Sequence, residues 1–424
     1  MVYRHQPALL TQLPTAKPGI YTISGSRQIG KTTLLKQWMA KLLNEGVPAE
    51  SIAFFTGELI DDHHALVRII QNRLAQVSDD FLKYFIVDEI SYVKDWDKAI
   101  KFLADAGVLE NTILILTGSE ISIIQEARMR FPGRRGEASE VDFHLYPLSF
   151  KEFVCLKHFH DKESENPSLG MLYEEFEHYL FHGGFLTAIN EFAKNQTISK
   201  ACLMTYSDWI RGDVLKRGKK ESYLLEVLNA IVKCYGSQVT WHSLADTLSI
   251  DHPQTVADYV TLLSSMDAVF IQSALQEDKL IAAPKKAKKV IFTDPFIYHA
   301  IAAWINDSKD PFKDIILKNV QDPKINSKLV EACLVSHYRR FYPTFYIKSE
   351  GEVDIAYVKD KKFWPIEVKW TSQMRPKDLK QIKKYRNALI LGKQKSEGEV
   401  DGVKIMPLPI ILYHLQGEAQ SPHA

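Results

Sequence analysis

The stretch Gly25-Ser26-Arg27-Gln28-Ile29-Gly30-Lys31-Thr32 lies between an apolar run, Gly19-Ile20-Tyr21-Thr22-Ile23, and a helical run, Thr33-Leu34-Leu35-Lys36-Gln37-Trp38. Strand, Gly-x-x-x-x-Gly-Lys-Thr, then helix is the context that a phosphate-binding loop requires. Gly25 and Gly30 let the backbone turn tightly and come close to an anion, so that successive N–H groups and the positive end of the next helix face the same phosphates. Residues Gly25, Ser26, Arg27, Gln28, Ile29, Gly30, Lys31, Thr32 and Thr33 are the expected nucleotide cradle. Lys31 would reach the terminal phosphates, and Thr32 would set its hydroxyl on a magnesium ion.

Working outward, Ser51 to Thr56 reads as a buried strand and Asp61 to Ala75 as a helix with an acidic start. Asp61-Asp62-His63-His64 could suggest a metal, but at a helix start capping is the better reading. The run Tyr84-Phe85-Ile86-Val87-Asp88-Glu89 is an apolar strand ending in two carboxylates, with Asp88 placed 56 residues after Thr32. Asp88 is expected to hold magnesium and Glu89 to polarise the attacking water. After a helix from about Asp95 to Ala106, the strand Thr112 to Leu116 ends in Thr117-Gly118-Ser119. Thr117 or Ser119 either senses the γ-phosphate or caps a helix starting near Glu120. Arg134 and Arg135, at the turn Phe131 to Gly136, either stabilise charge on the transferring phosphate or form a solvated C-cap. Val141, Phe143 and Leu145 alternate with polar residues as a fifth strand does.

The whole chain, 424 residues, is too long for one core. Its 53 basic and 52 acidic side chains leave a net charge of +1, so overall charge gives no argument for nucleic acid. Cys155, Cys202, Cys234 and Cys333 lie far apart, without the close pairs of zinc or redox motifs, and read as reduced thiols of a cytoplasmic protein. No apolar run is long enough to span a bilayer, and the N-terminus lacks the pattern of a secretory signal.

These motifs, with Leu116-Thr-Gly-Ser119 and Tyr146-Pro-Leu-Ser-Phe-Lys-Glu-Phe153, resemble the prokaryotic AAA-type ATPases that carry a C-terminal domain of unassigned function. The resemblance covers nearly the whole chain and is most specific in the first 190 residues. It implies an α/β fold with the additional-strand P-loop sheet, ATP with magnesium as cofactors, and the roles given above to Lys31, Thr32, Asp88 and Glu89.

Beyond residue 147 the pattern is helical to Arg217, broken at Asn166-Pro167-Ser168 and Gly183-Gly184, as in the small helical lid of that family. The basic run Arg211 to Lys220 is either a solvated helix end or a phosphate contact. Helices Trp241 to Leu248 and Pro253 to Ser265 flank a short turn containing Asp251, with apolar residues spaced as in a helix-turn-helix. Residues Ala268 to Gln272 and Lys285 to Phe292 would form a two-stranded wing. If this winged helix binds DNA, Gln254, Thr255 and Asp258 lie on the presented helix and the lysines of Lys285 to Lys289 meet phosphate.

Further on, Glu331 sits on a helix, Asp354 on one strand, and Glu367 and Lys369 on the next, where alternation puts the last two on one face. Two carboxylates beside a lysine can hold a divalent metal and orient water for phosphodiester hydrolysis. The set resembles the PD-(D/E)xK nuclease core, with Gln381 and Tyr385 on one face of a following helix similar to the Gln-x-x-x-Tyr element of one branch. An ion pair on a sheet face, or a nuclease-like scaffold without chemistry, fits the same residues.

The expected organisation is an ATPase domain over 1–147, a helical lid over 148–220, a winged helix over 221–300 and a restriction-endonuclease-like α/β domain over 301–424. The expected function is ATP hydrolysis coupled to rearrangement of the DNA-binding and nuclease-like domains. The alternatives are a nucleotide-gated signalling or scaffolding switch and an ATP-regulated metal-dependent DNase. Expected partners are ATP, DNA, and a second copy or another protein.

Overall fold

The computed structural model describes residues 2–78, 80–119, 127, 129–158, 167–250, 252–371 and 379–415. The helix expected from Glu120, the break at Asn166 and Asp251 of the expected turn lie outside the described residues. Over the described residues the chain divides into two compact units, one holding His5–Tyr146 with Ser265–Asp267, the other residues 2–4, Pro147–Ser264 and 268–415.

In the first unit, β1 (Gly19–Ser24), β2 (Ile52–Thr56), β3 (Lys83–Asp88), β4 (Thr112–Gly118) and β5 (Asp142–His144) form a sheet in the order β2-β3-β4-β1-β5. Every pairing is parallel. Both faces are covered, so the strands are apolar throughout. Tyr84 and Ile86 pack with Leu34, Leu35, Trp38 and Leu42 of the helix Lys31–Asn44. Their neighbours Phe85 and Val87 face the other way, against Leu66 and Ile70 of His63–Leu74 and Trp96 and Ile100 of Trp96–Asp105. The alternation of strand side chains thus splits one apolar run between two cores. Asp62 caps its helix by accepting from the Ala65 N–H at 2.9 Å, which is the capping reading of the Asp-Asp-His-His stretch. Because the strands are parallel, the C-terminal ends of β1, β3 and β4 share one edge, where open α/β sheets bind ligands.

The second unit opens with helices Phe150–Lys157, Leu169–His182, Leu186–Asn195, Lys200–Lys216 and Glu221–Lys233. Ser149 and Glu152 form a reciprocal capping box on the first of them. Next come β6 (Gln238–Val239), helices Trp241–Ala245 and Pro253–Ser265, β7 (Val269–Ser273), β8 (Leu275–Gln276), β9 (Ile281–Ala282) and β10 (Lys288–Phe292). The two segments expected as a wing, β7 and β10, do pair antiparallel, and β6 joins them in the order β6-β10-β7. After helices Pro295–Asn306 and Pro323–Tyr338, a mixed sheet follows, built from β11 (Thr344–Lys348), β12 (Glu352–Lys359), β13 (Lys362–Lys369), β14 (Leu389–Gly392), β15 (Gly398–Val400) and β16 (Val403–Pro407). Its order is β11-β12-β13-β14-β16-β15. The helix expected to carry Gln381 and Tyr385 is replaced, in its described part, by one 3₁₀ turn, Ile382–Lys384. Among the described residues no helix is long and apolar enough to cross a membrane.

Candidate functional site

The loop between β1 and its helix adopts backbone angles that only a glycine-rich sequence tolerates. Gly25 has φ +154° and a Cβ there would lie 2.6 Å from the Leu145 carbonyl oxygen, while Gly30 has φ +109°. The helix Lys31–Asn44 starts at Gly30 with no side chain capping its first N–H groups. Lys31 is buried and bends back over the loop, donating to the carbonyls of Gly25 at 2.8 Å and Ser26 at 3.2 Å. Its ammonium is 3.3 Å from Ser119 Oγ and 3.5 Å from Glu89 Oε1. Burial pulls the Lys31 ammonium below its ordinary value, with Glu89 and Asp88 pulling the other way.

The ends of β3 and β4 complete the arrangement. Thr32 donates to Asp88 Oδ2 at 2.6 Å, and Thr117 donates to the other Asp88 oxygen. The Glu89 N–H donates back to Thr117 Oγ1 at 3.0 Å. Glu89 itself is left-handed, φ 54°, which turns its carboxylate away from the strand direction and onto Ser119 Oγ at 2.7 Å. Arg27, Gln28, Thr32, Lys36, Phe54, Thr56, Glu58, Asp88 and Glu89 line a cavity of ≈ 400 Å³. Lys36 follows Thr32 by one helical turn, a spacing that could have marked it, whereas Thr56 reaches the cavity only through its register opposite Asp88.

ATP and magnesium fit this site on three counts. A Cβ at Gly30 would meet no protein atom within 4 Å, so the loop backbone there borders open space. Ser26 Oγ, in the same loop, is buried with no hydrogen-bond partner. The donors around Thr32 and Asp88 are hard oxygens, the kind magnesium selects.

Arg134 and Arg135 lie away from the loop within this chain. They follow Phe131 to the opposite, N-terminal edge of the sheet, where the Arg135 carbonyl accepts from the Ile20 N–H at 3.4 Å. Arg134 is ion-paired with Asp105. Arg135 pairs with Asp142 at 2.6 Å and donates to the carbonyl of Val141 at 3.0 Å. Arg134 thus pairs with a helix end and Arg135 with the starts of β1 and β5, both away from the phosphate loop of their own chain.

In the second unit the structure brings Glu331, Asp354, Glu367 and Lys369 together. Asp354 Oδ2 accepts from the Val368 N–H at 2.8 Å across the β12–β13 pairing, and Lys369 pairs with Glu367 Oε1 at 2.6 Å. Burial pushes Glu367 up to about 8, with Asp354 adding to the shift and Lys369 opposing it. Burial likewise lifts Glu331 to about 7 against the pull of Lys289. One ligand atom from each of Glu331, Glu352 and Asp354 lies within 4.8 Å of the others, so these three could hold a metal. Gln381 and Tyr385 bond elsewhere, to each other at 3.4 Å and from Tyr385 to Glu277 at 3.3 Å.

Two members of this cluster escaped the sequence. Glu352 begins β12, two residues before Asp354 and so on the same face. Lys289 was grouped with the exposed wing lysines and is instead fully buried among Glu331, Glu352 and Asp354. Lys286 and Lys288 also spend their ammonium groups within the chain, donating to the carbonyls of Lys348 and Pro284. On the helix Pro253–Ser265, Gln254 and Asp258 are exposed and hydrogen-bond to each other at 2.9 Å. In the basic run, Arg211 pairs with Glu221 at 2.7 Å.

Residues 17–154 match the family described as an AAA domain, and residues 173–308 and 327–411 match two domains of unknown function, DUF8612 and DUF4143. An uncharacterized protein of Haemophilus influenzae is 25% identical over 407 residues, 91% of this chain and 92% of its own. Among solved structures, the Walker-type ATPase of Pyrococcus abyssi aligns over 67% of this chain and 91% of its own, at 15% identity and a TM-score of 0.45. The Aeropyrum pernix ORC1 protein in complex with DNA aligns over 72% and 90%, at 13% identity and a TM-score of 0.34. The family match falls on the stretch that holds the parallel sheet, the glycine loop and the carboxylate pair, and residues 17–154 form an AAA-type, P-loop ATPase-like domain.

Proposed function

We propose that the chain binds ATP with magnesium over Gly25 to Thr33 and hydrolyses it to ADP and phosphate. The observation that carries this reading is the convergence of Lys31, Thr32, Asp88, Glu89, Thr117 and Ser119 within direct hydrogen-bond or ion-pair reach of one another. Loop amides and the uncapped helix start bind the phosphate oxygens, and Lys31 exchanges its carbonyl contacts for the terminal phosphates. Thr32 and Asp88 would hold magnesium, which would supply positive charge to the phosphates. Glu89 takes the proton of the attacking water, and Ser119, already on its carboxylate, keeps it aimed.

Nucleotide binding by wild type and Lys31→Ala tests this. In magnesium the variant is expected to bind ATP at least tenfold more weakly, and equal affinities would overturn the reading.

For the second unit, we read the helices Trp241–Ala245 and Pro253–Ser265 with β7 and β10 as a winged helix. The buried Leu244, Val256 and Leu263 between them support this. The mixed sheet with Pro323–Tyr338 reads as a nuclease-like fold, on the strength of the meeting of Glu331, Asp354, Glu367 and Lys369. Nucleotide state would change how these parts act, on DNA or on a protein partner. Binding to duplex DNA that falls steeply with salt supports the first, and no affinity at low salt supports a protein-directed switch. The ion pairs of Lys289 favour the switch, because they occupy both a wing lysine and the carboxylates a nuclease would need.

A further inference from the structure

The carboxylates of Glu331, Glu352 and Asp354 come from a helix and a strand of the C-terminal part of the second unit, but the cation between them comes from another layer. Lys289 lies on β10, opposite Gln238 of β6 and Gln272 of β7. Its side chain leaves that small sheet and enters the cluster, where the ammonium is 2.7 Å from Glu331 Oε1, 3.9 Å from Asp354 Oδ1 and in contact with Glu352 Oε1. An ammonium offers three donors, and here Glu331 and Glu352 lie in direct contact with it while Asp354 stands at ion-pair distance.

The neighbours of Lys289 fix this insertion. Gln272 donates to the carbonyls of Phe345 at 3.1 Å and Asp354 at 2.9 Å, and Gln238 donates to the second oxygen of Glu352. The Tyr346 hydroxyl donates to the Ala287 carbonyl, and the Lys289 ammonium lies 5.6 Å from the Tyr346 ring centroid. So a run of side chains on either side of Lys289 fastens the small sheet onto β11 and β12. The lysine is fully buried.

The cluster still shows signs of a site for more charge than one ammonium carries. Three carboxylates surround one lysine. Glu367, on the adjacent strand, is buried and leaves its Oε2 without any hydrogen-bond partner, a costly arrangement unless something else is to meet it. Hard oxygen donors in this number suit a divalent cation such as magnesium or manganese.

We infer that Lys289 is a built-in substitute for a divalent cation, one that locks the Glu331–Glu352–Asp354 site against metal until β10 withdraws it. The inference deepens the nuclease-like reading of this sheet and rests on it for the kind of cation. It does not depend on ATP hydrolysis. A nuclease-like centre held this way is silent by default, and any event that pulls the small sheet from β11 and β12 uncovers its carboxylates.

Manganese binding measured calorimetrically without nucleotide tests the lock, taking as cluster-specific the binding that Asp354→Asn abolishes. Wild type is expected to show none, and Lys289→Ala to gain one site at least tenfold tighter than any wild-type binding. Because Lys289→Ala strands buried carboxylates, Lys289→Ala/Glu352→Gln, with less charge to strand, is measured beside it. Either variant folding only with manganese also supports the inference. Equal cluster-specific binding by wild type and Lys289→Ala overturns it. So does the absence of binding in all variants, or variants that stay unfolded in saturating manganese. Metal uptake by Lys289→Ala without cleavage of DNA supports the lock while ending the nuclease reading.

Discussion

Glu89 and Asp88 are adjacent carboxylates with different surroundings. Asp88 accepts from both Thr32 and Thr117, so its oxygens are committed to hydroxyls that hold it still. Glu89, turned out of the strand by its left-handed backbone, touches Ser119 and comes within 3.5 Å of Lys31. Glu89→Gln keeps the shape and loses the proton acceptor. It is expected to leave ATP affinity within a few-fold while lowering turnover by roughly 10²–10⁴. A single-turnover assay on pre-bound ATP checks this, and turnover within threefold of wild type would remove Glu89 from the chemistry. The contrast with Arg134 is instructive at this scale, since its place beside Lys31 was an open possibility in the sequence. Its pairing with Asp105, at the far edge of the same sheet, closes that possibility within one chain.

Between elements, the Gly183-Gly184 pair shows how a break in a helical pattern can be a packing requirement. Gly183, at φ 56° and ψ −150°, ends the helix Leu169–His182 in a region that side chains avoid. Gly184 then passes so close to the segment before Phe150 that a Cβ would lie 2.1 Å from the Leu148 carbonyl oxygen and 2.7 Å from its nitrogen. The two backbones bond directly, Leu148 N–H to the Gly184 carbonyl at 2.8 Å, and Asp294 receives the Gly184 N–H at 2.8 Å while also capping Pro295–Asn306. No flexible atom can yield, so Gly184→Ala is expected to destabilise the second unit by about 3 kcal/mol or more. An unchanged urea midpoint would show that the backbones separate at little cost. The sequence marked this pair as an interruption between helices. That it seats one helix end against Leu148 and Asp294, from before and far after it in the chain, required the fold.

At the scale of the whole molecule, the second unit buries the imidazoles of His182, His299 and His337. Burial holds His182 down to about 3, His299 to about 4 and His337 to about 3, against an ordinary value of 6.5. Between the folded values and 6.5 the unfolded chain binds protons that the folded chain refuses. Each histidine therefore contributes stability that is full above pH 6.5 and is lost as pH falls toward the folded value, at about 1.4 kcal/mol per pH unit. His299→Gln can keep a donor on the Leu180 carbonyl, which His299 meets at 3.0 Å, while removing the titration. Unfolding free energies of wild type and variant from pH 6.5 to 5 are expected to differ in slope by about that amount, with wild type falling faster. Parallel curves would mean that His299 charges in the folded state.

The proposed nucleotide site was legible because its parts are local. Eight consecutive residues set the loop, and Asp88, Thr117 and Ser119 each sit where an apolar strand runs out, so their neighbours in the chain announce them. Parallel strands then bring those ends to one edge whatever the details of packing. Lys289 could not be read that way. It stands in a run of lysines, and nothing within a few residues distinguishes it from Lys288, yet its partner Glu331 is 42 residues distant. Backbone turns and strand ends are decided by interactions a few residues long, which the sequence states outright. Which buried charge answers which, and whether a cluster of acids faces a metal or a lysine, depends on how separate layers dock, and only the tertiary structure decided that.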